Sequence, residues 1–145
     1  MSIYADTSLL FSLYATDANS PKADAWRQGN PAPLPFSAFH RLELRNALNL
    51  AVFQKRITLS EAQSAWQGVE NDVSAGLLVP RLGPWHRVLR EAEQIAQHHT
   101  PTVGCRTLDV IHVAAATVMA ATDFCTFDTR QADLGRRVGL PVSVL

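Results

Sequence analysis

Apolar residues along the chain alternate between two periods. "SIYAD" is a short apolar run of the kind a buried strand makes, and Leu9, Leu10 and Leu13 follow it at helical spacing. Thr7 or Ser8 is placed to cap that helix. In "NSPKADAWRQGN", Ser20 and Pro21 stand where an N-cap and a first helical residue belong, and Gly29 is a stop signal. "PAPLPFS" is an extended connector, because alternating prolines forbid a helix, and it ends in a brief strand. From about residue 38 to 55, Leu44, Ala47, Leu48, Ala51 and Val52 recur on one helical face. Thr58 and Glu61 form a capping-box pattern. They open a helix that carries Ala62, Trp66, Val69 and Val73.

"GLLVPRL" reads as a strand, and Pro84 begins a helix with Val88, Leu89, Ala92 and Ile95 on one side. "HHTPTVG" reads as a loop. "TLDVIHVAAATVMAA" is apolar nearly all round, so it predicts a central, buried helix. "DFCTFD" is a strand, "TRQADLGRRVG" a short helix ended by Gly139, and "PVSVL" a last strand. Strands separated by helices imply crossovers, hence an α/β fold with a mainly parallel sheet and helices on both faces. In such folds the site lies beyond the carboxyl ends of the strands. Asp6 and Asp128 both stand at such ends.

Composition narrows the class. The 145 residues are long enough for one domain with a sizeable core, and 47% apolar with 18% charged residues excludes a disordered chain. The start lacks a signal peptide's basic and apolar regions, and "VIHVAAATVMAA" is too short to span a bilayer. A cytoplasmic protein is expected. Cys105 and Cys125 make no zinc pattern and read as reduced structural thiols. Net charge is zero, but of 13 basic residues only Lys22 and Lys55 are lysine. Arginine matches phosphate and carboxylate geometry better than lysine does. The bias fits an RNA or acidic-protein partner, and it equally fits a GC-rich gene.

Four carboxylates occupy unusual positions: Asp6, Glu43 in "FHRLELRNAL", Asp109 in "CRTLDVIHVAAA", and Asp128. Each alone has a plain explanation. Asp109 suits a helix first turn, Asp6 and Asp128 suit turns, and Glu43 suits a pairing with Arg41 or Arg45. Together they point further. If the first and fourth strands are neighbours, Asp6 and Asp128 approach, and like charges that close disfavour the ionised forms. A hard divalent cation removes the conflict, and an oxygen-only set selects Mg²⁺ or Mn²⁺. Ser8 and Thr126 are placed to steady the carboxylates.

"YADTSLL", "LELRNAL", "TLDVIHVAAA" and "CTFDTRQADLGRRVGLPV" resemble, in order and spacing, the four motifs of PIN-domain ribonucleases. The likeness is strongest to VapC-type toxins of toxin–antitoxin pairs and covers essentially the whole chain, 1–145, as a single PIN domain. The resemblance implies a three-layer α/β sandwich and metal-dependent endonucleolytic hydrolysis of RNA, leaving a 5′-phosphate and a 3′-hydroxyl. It carries Asp6, Glu43, Asp109 and Asp128 over as the acidic metal-site residues, with Ser8 and Thr126 in supporting positions. It also implies a VapB-type antitoxin, with the helices at 38–55 and 58–75 as its groove, and a homodimer. Leu134 departs from the aromatic residue of many relatives, a packing difference.

Without the four acids the chain has nine acidic against 13 basic residues, a mildly basic surround suited to RNA. Arg41, Arg45, Arg106 and Arg130 lie near the motifs as phosphate contacts. His112 reads as a hydrogen-bonded core histidine that could also orient a carboxylate, His40 as a residue within reach of RNA, and the three tryptophans as packing. Two other classes compete. An aspartyl phosphotransferase of the haloacid-dehalogenase type needs a second Asp where Ser8 stands, and a lysine beyond Lys55, where there is none. A non-catalytic RNA- or protein-binding module on the same fold would have no need of four acids.

Overall fold

Every strand pair in the computed structural model is parallel. The structure describes residues 2–81 and 83–145, and Leu82, the end of the expected third strand, lies outside them. The chain divides into two units, Met1–Asp6 with Leu82–Leu145, and Thr7–Arg81.

The first unit holds strands β1 (Ile3–Ala5), β4 (Asp123–Thr126) and β5 (Val142–Val144), in the order β1-β4-β5. Ile3 is opposite Asp123 and Ala5 opposite Cys125. The condition on which Asp6 and Asp128 were brought together, that the first and fourth strands are neighbours, is therefore met. Helices α5 (Trp85–Val103), α6 (Thr107–Val118) and α7 (Thr129–Arg137) complete the unit. Val110, Val113 and Ala114 of α6 are buried with Val88 and Ile95 of α5, Phe124 of β4 and Leu134 of α7. This is the central place that an all-round apolar helix requires. Tyr4 stacks on Phe124 and reaches His112, with Tyr4 Oη 2.9 Å from His112 Nδ1. His112 is thus the hydrogen-bonded core histidine that its position suggested.

The loop expected at "HHTPTVG" is helix instead. α5 runs through Pro101 to Val103. A proline removes one backbone N–H and crowds the carbonyl four residues back. Here the cost falls in the last turn, and Val103 still packs against the apolar cluster. Gly104, at φ 70°, ends the helix and donates its N–H to the Thr100 carbonyl at 2.8 Å. Only a residue without Cβ takes that left-handed turn freely.

The second unit pairs β2 (Leu34–Ser37) with β3 (Leu78–Arg81) and adds α1 (Thr7–Tyr14), α2 (Ser20–Gly29), α3 (Ala38–Phe53) and α4 (Leu59–Ser74). Its core gathers Leu9, Leu10, Leu34, Phe36, Leu44, Leu48, Val69 and Leu78. The Thr58–Glu61 capping box forms as expected: Thr58 Oγ1 accepts from Glu61 N at 3.1 Å, and Glu61 Oε2 accepts from Thr58 N at 2.6 Å. Two expected caps shift by one residue. α1 begins at Thr7, so Thr7 and Ser8 are inside the helix and Asp6 precedes it. α2 begins at Ser20, whose hydroxyl instead donates to the Ala15 carbonyl and accepts from Asp17 N. Among the described residues no helix is long and apolar enough to cross a membrane.

Candidate active site

Asp6 continues the β1–β4 ladder by one residue, donating its N–H to the Cys125 carbonyl at 3.2 Å. This places its carboxylate beside Thr126, at the carboxyl edge of the sheet. Asp6 is 2% exposed and Thr126 is fully buried. A buried carboxylate is costly unless something compensates it. Thr126 Oγ1 donates to Asp6 Oδ2 at 2.7 Å and accepts from Asp128 N at 2.9 Å. One hydroxyl thus joins the ends of the two strands.

Asp128 lies two residues beyond β4 and caps α7. Its Oδ1 accepts from Arg130 N at 2.9 Å and from Gln131 N at 3.1 Å. The free N–H groups at a helix start favour a negative charge there. Asp109 is the third residue of α6 and nearly buried. Its Oδ2 accepts from Arg106 N and from Arg106 Nε, both at 3.2 Å. The first-turn reading of Asp109 is therefore met by one of its oxygens, and Asp128, read as a turn residue, caps α7 through one of its own.

Gln131 was not singled out in the sequence. It is 3% exposed, and its Nε2 donates to Asp109 Oδ1 at 3.4 Å. The signal was available: position 131 falls on the buried face of α7 with Leu134 and Gly135, where an amide is out of place. Asp6, Asp109, Asp128, Thr126 and Gln131 all belong to the first unit. Among the described residues, no three His, Cys, Asp or Glu side chains close into a metal cage. The donors are oxygens only, which suits a hard cation that keeps much of its own water.

Glu43 and Ser8 lie in the second unit, on α3 and α1 and half-buried. Of the four arginines, Arg106 is engaged with Asp109. Arg130 is exposed at the start of α7. Arg41 pairs with Glu70, and the guanidinium groups of Arg41 and Arg45 lie 5.0 and 4.2 Å from the Trp66 ring centre. Trp66 is thus half-buried under two cations, not core. The expected approach of His40 to RNA is contradicted: its ring is buried as the third residue of α3. His40 Nδ1 lies 2.8 Å from Ser37 Oγ and accepts from Ser37 N at 3.2 Å, closing a capping box. Burial, aided by the nearby Asp109 charge, pushes the Cys105 thiol up, which agrees with an inert structural cysteine.

Two solved structures resemble the chain. The crystal structure of VapC20 from Mycobacterium tuberculosis, a sarcin–ricin loop cleaving toxin, superimposes with a TM-score of 0.69 at 18% identity, over 92% of this chain and 95% of that one. The crystal structure of FitAcB from Neisseria gonorrhoeae gives 0.60 at 19% identity, over 97% and 95%. No protein of curated function matches. The model of the PIN domain matches residues 3–137, which takes in both strand ends, α6 and α7, and the chain belongs to the PIN domain family.

Proposed function

We propose that this chain is a divalent-cation-dependent endoribonuclease and the toxin of a toxin–antitoxin pair. The observation that carries the reading is the buried Asp6 carboxylate, tied through the Thr126 hydroxyl to the backbone of Asp128. A carboxylate at the carboxyl edge of a parallel sheet stands where α/β folds keep their functional sites. The likeness to VapC20, a toxin that cleaves the sarcin–ricin loop, supports the reading.

Asp6, Asp109 and Asp128 hold Mg²⁺ or Mn²⁺ on this proposal. Glu43 is the fourth acid, on the motif match alone. The cation supplies charge stabilisation at the phosphoryl group and an acidified water. The protein's own part is orientation. Thr126 fixes one oxygen of Asp6, α7 fixes one of Asp128, and Arg106 fixes one of Asp109, so each carboxylate is aimed before RNA arrives. Such positioning is most of what the protein contributes to phosphoryl transfer. Arg45 and Arg130 are the exposed arginines placed to meet phosphates. A VapB-type antitoxin and a second copy of the chain are the implied partners. Leu42 and Phe53 of α3, 70% and 83% exposed, are apolar side chains available to a partner.

The test is incubation of the purified chain with total RNA and Mg²⁺ or Mn²⁺, with mapping of the product ends. Cleavage leaving 5′-phosphates, abolished by chelator and by Asp6→Asn or Asp109→Asn, is expected. RNA left intact, or bound without products, overturns the reading.

A further inference from the structure

We propose that Gln131 is a positioning residue of the acidic site: its Nε2 holds Asp109, and its Oε1 accepts a hydrogen bond from a water of the hydrated cation. The inference rests on the cation-dependent reading above.

Gln131 touches two acids at once. Its backbone N–H donates to Asp128 Oδ1 at 3.1 Å, and its side-chain amide donates to Asp109 Oδ1 at 3.4 Å. One residue thereby links the start of α7 to the start of α6. The direction of the amide follows from its neighbour. An ionised carboxylate oxygen only accepts, so the nitrogen end must face Asp109. The carbonyl end is then turned the other way. Oε1 is buried and, among the described residues, has no hydrogen-bond partner. The two ends of one amide are about 2.3 Å apart, so Oε1 lies within about 6 Å of Asp109 Oδ1.

A buried carbonyl without a donor is destabilising, and an apolar side chain of the same shape would avoid that loss. Position 131 lies on a buried helix face where leucine would fit the pattern. An amide there needs a donor that the protein itself does not supply. Mg²⁺ and Mn²⁺ bring one, because an ion held by a few carboxylates keeps several waters, each with O–H groups to donate. The long contact to Asp109 Oδ1 agrees with this. That oxygen is only lightly held by the protein, whereas Asp109 Oδ2 already takes two donors from Arg106. Groups that hold a ligand in this indirect way commonly change metal affinity about 10–100-fold when removed.

Binding of Mn²⁺ to the full chain, followed by loss of the free-ion paramagnetic resonance signal, tests the inference in wild type, Gln131→Leu and Gln131→Glu. Gln131→Leu is expected to bind at least about tenfold more weakly. Gln131→Glu keeps an acceptor and is expected to keep cation binding, but to melt lower without cation because it sets a second carboxylate against Asp109. A purely structural role predicts unchanged affinity in both. Affinity of Gln131→Leu within about twofold of wild type overturns the inference and leaves the nuclease reading standing. If Gln131→Leu does not fold, Gln131→Met, which likewise lacks both ends of the amide, takes its place with the same expectation and the same overturning result. Wild type that binds neither Mn²⁺ nor Mg²⁺ overturns both.

Discussion

Replacing Thr126 by valine should strike the site at its most connected atom. The hydroxyl donates to Asp6 Oδ2 at 2.7 Å and accepts from Asp128 N at 2.9 Å, in full burial. Valine keeps the branched shape, so the loss is of hydrogen bonds and not of volume. A bond to a charged group contributes about 1.5–3 kcal/mol, and a buried N–H deprived of its acceptor costs about 1 kcal/mol or more. Together these predict a loss of about 3 kcal/mol. For a chain of 145 residues that is a fall in melting temperature of about 10 °C. Calorimetry in chelator, where no cation adds stability, is the assay. Thr126→Ser is the control, because it keeps the hydroxyl and gives up one methyl group, about 1 kcal/mol. The expected order is wild type, serine, valine. A valine variant as stable as the serine variant would refute the reasoning, because Asp6 would then gain nothing from the hydroxyl.

Asp128→Asn should retain the α7 cap and near-native stability while losing RNA cleavage, whereas Asp128→Ala should lose cleavage and about 1 kcal/mol besides; an active Asn variant in the cleavage assay would contradict the assigned role. A Cβ at Gly135 would stand 2.9 Å from Val142 Cγ2, so Gly135→Ala should cost about 1–3 kcal/mol in urea unfolding by pushing α7 off β5. Burial, and then the hydrogen bond to Asp72 at 2.6 Å, raises the Tyr14 phenol above its ordinary value of 10.0. A folded-state value raised in this way gives stability that is complete below about pH 10 and is lost as the pH climbs toward the folded value. Wild type should therefore lose its advantage over Tyr14→Phe above about pH 10, and an advantage that grows with pH would be the wrong sign.

That the strands are parallel was legible because helices between them force crossovers; that β1 lies beside β4 was only a condition of the argument, because crossovers do not set strand order. Asp109 was legible because an acid in an all-apolar helix has few explanations. What escaped were the places where packing or an unusual partner prevailed over a local rule. Pro101 signals a break, but α5 lies along α6 and the apolar contact of Val103 outlasts one missing hydrogen bond. His40 is not a usual capping-box residue, yet a neutral imidazole nitrogen accepts a backbone N–H as a carboxylate does. Trp66 reads as core until two arginines are found over its ring. Gln131 drew no notice because glutamine is mostly exposed.

The β1–β4 pairing spans nearly the whole length of the chain: the hydroxyl that receives Asp6 is 120 residues away. Asp6 cannot be seated until the fourth strand is in place beside the first. Contacts of such long sequence separation also form late and slowly in folding. The burial of Asp6 is thus deferred to a late step of folding by topology alone.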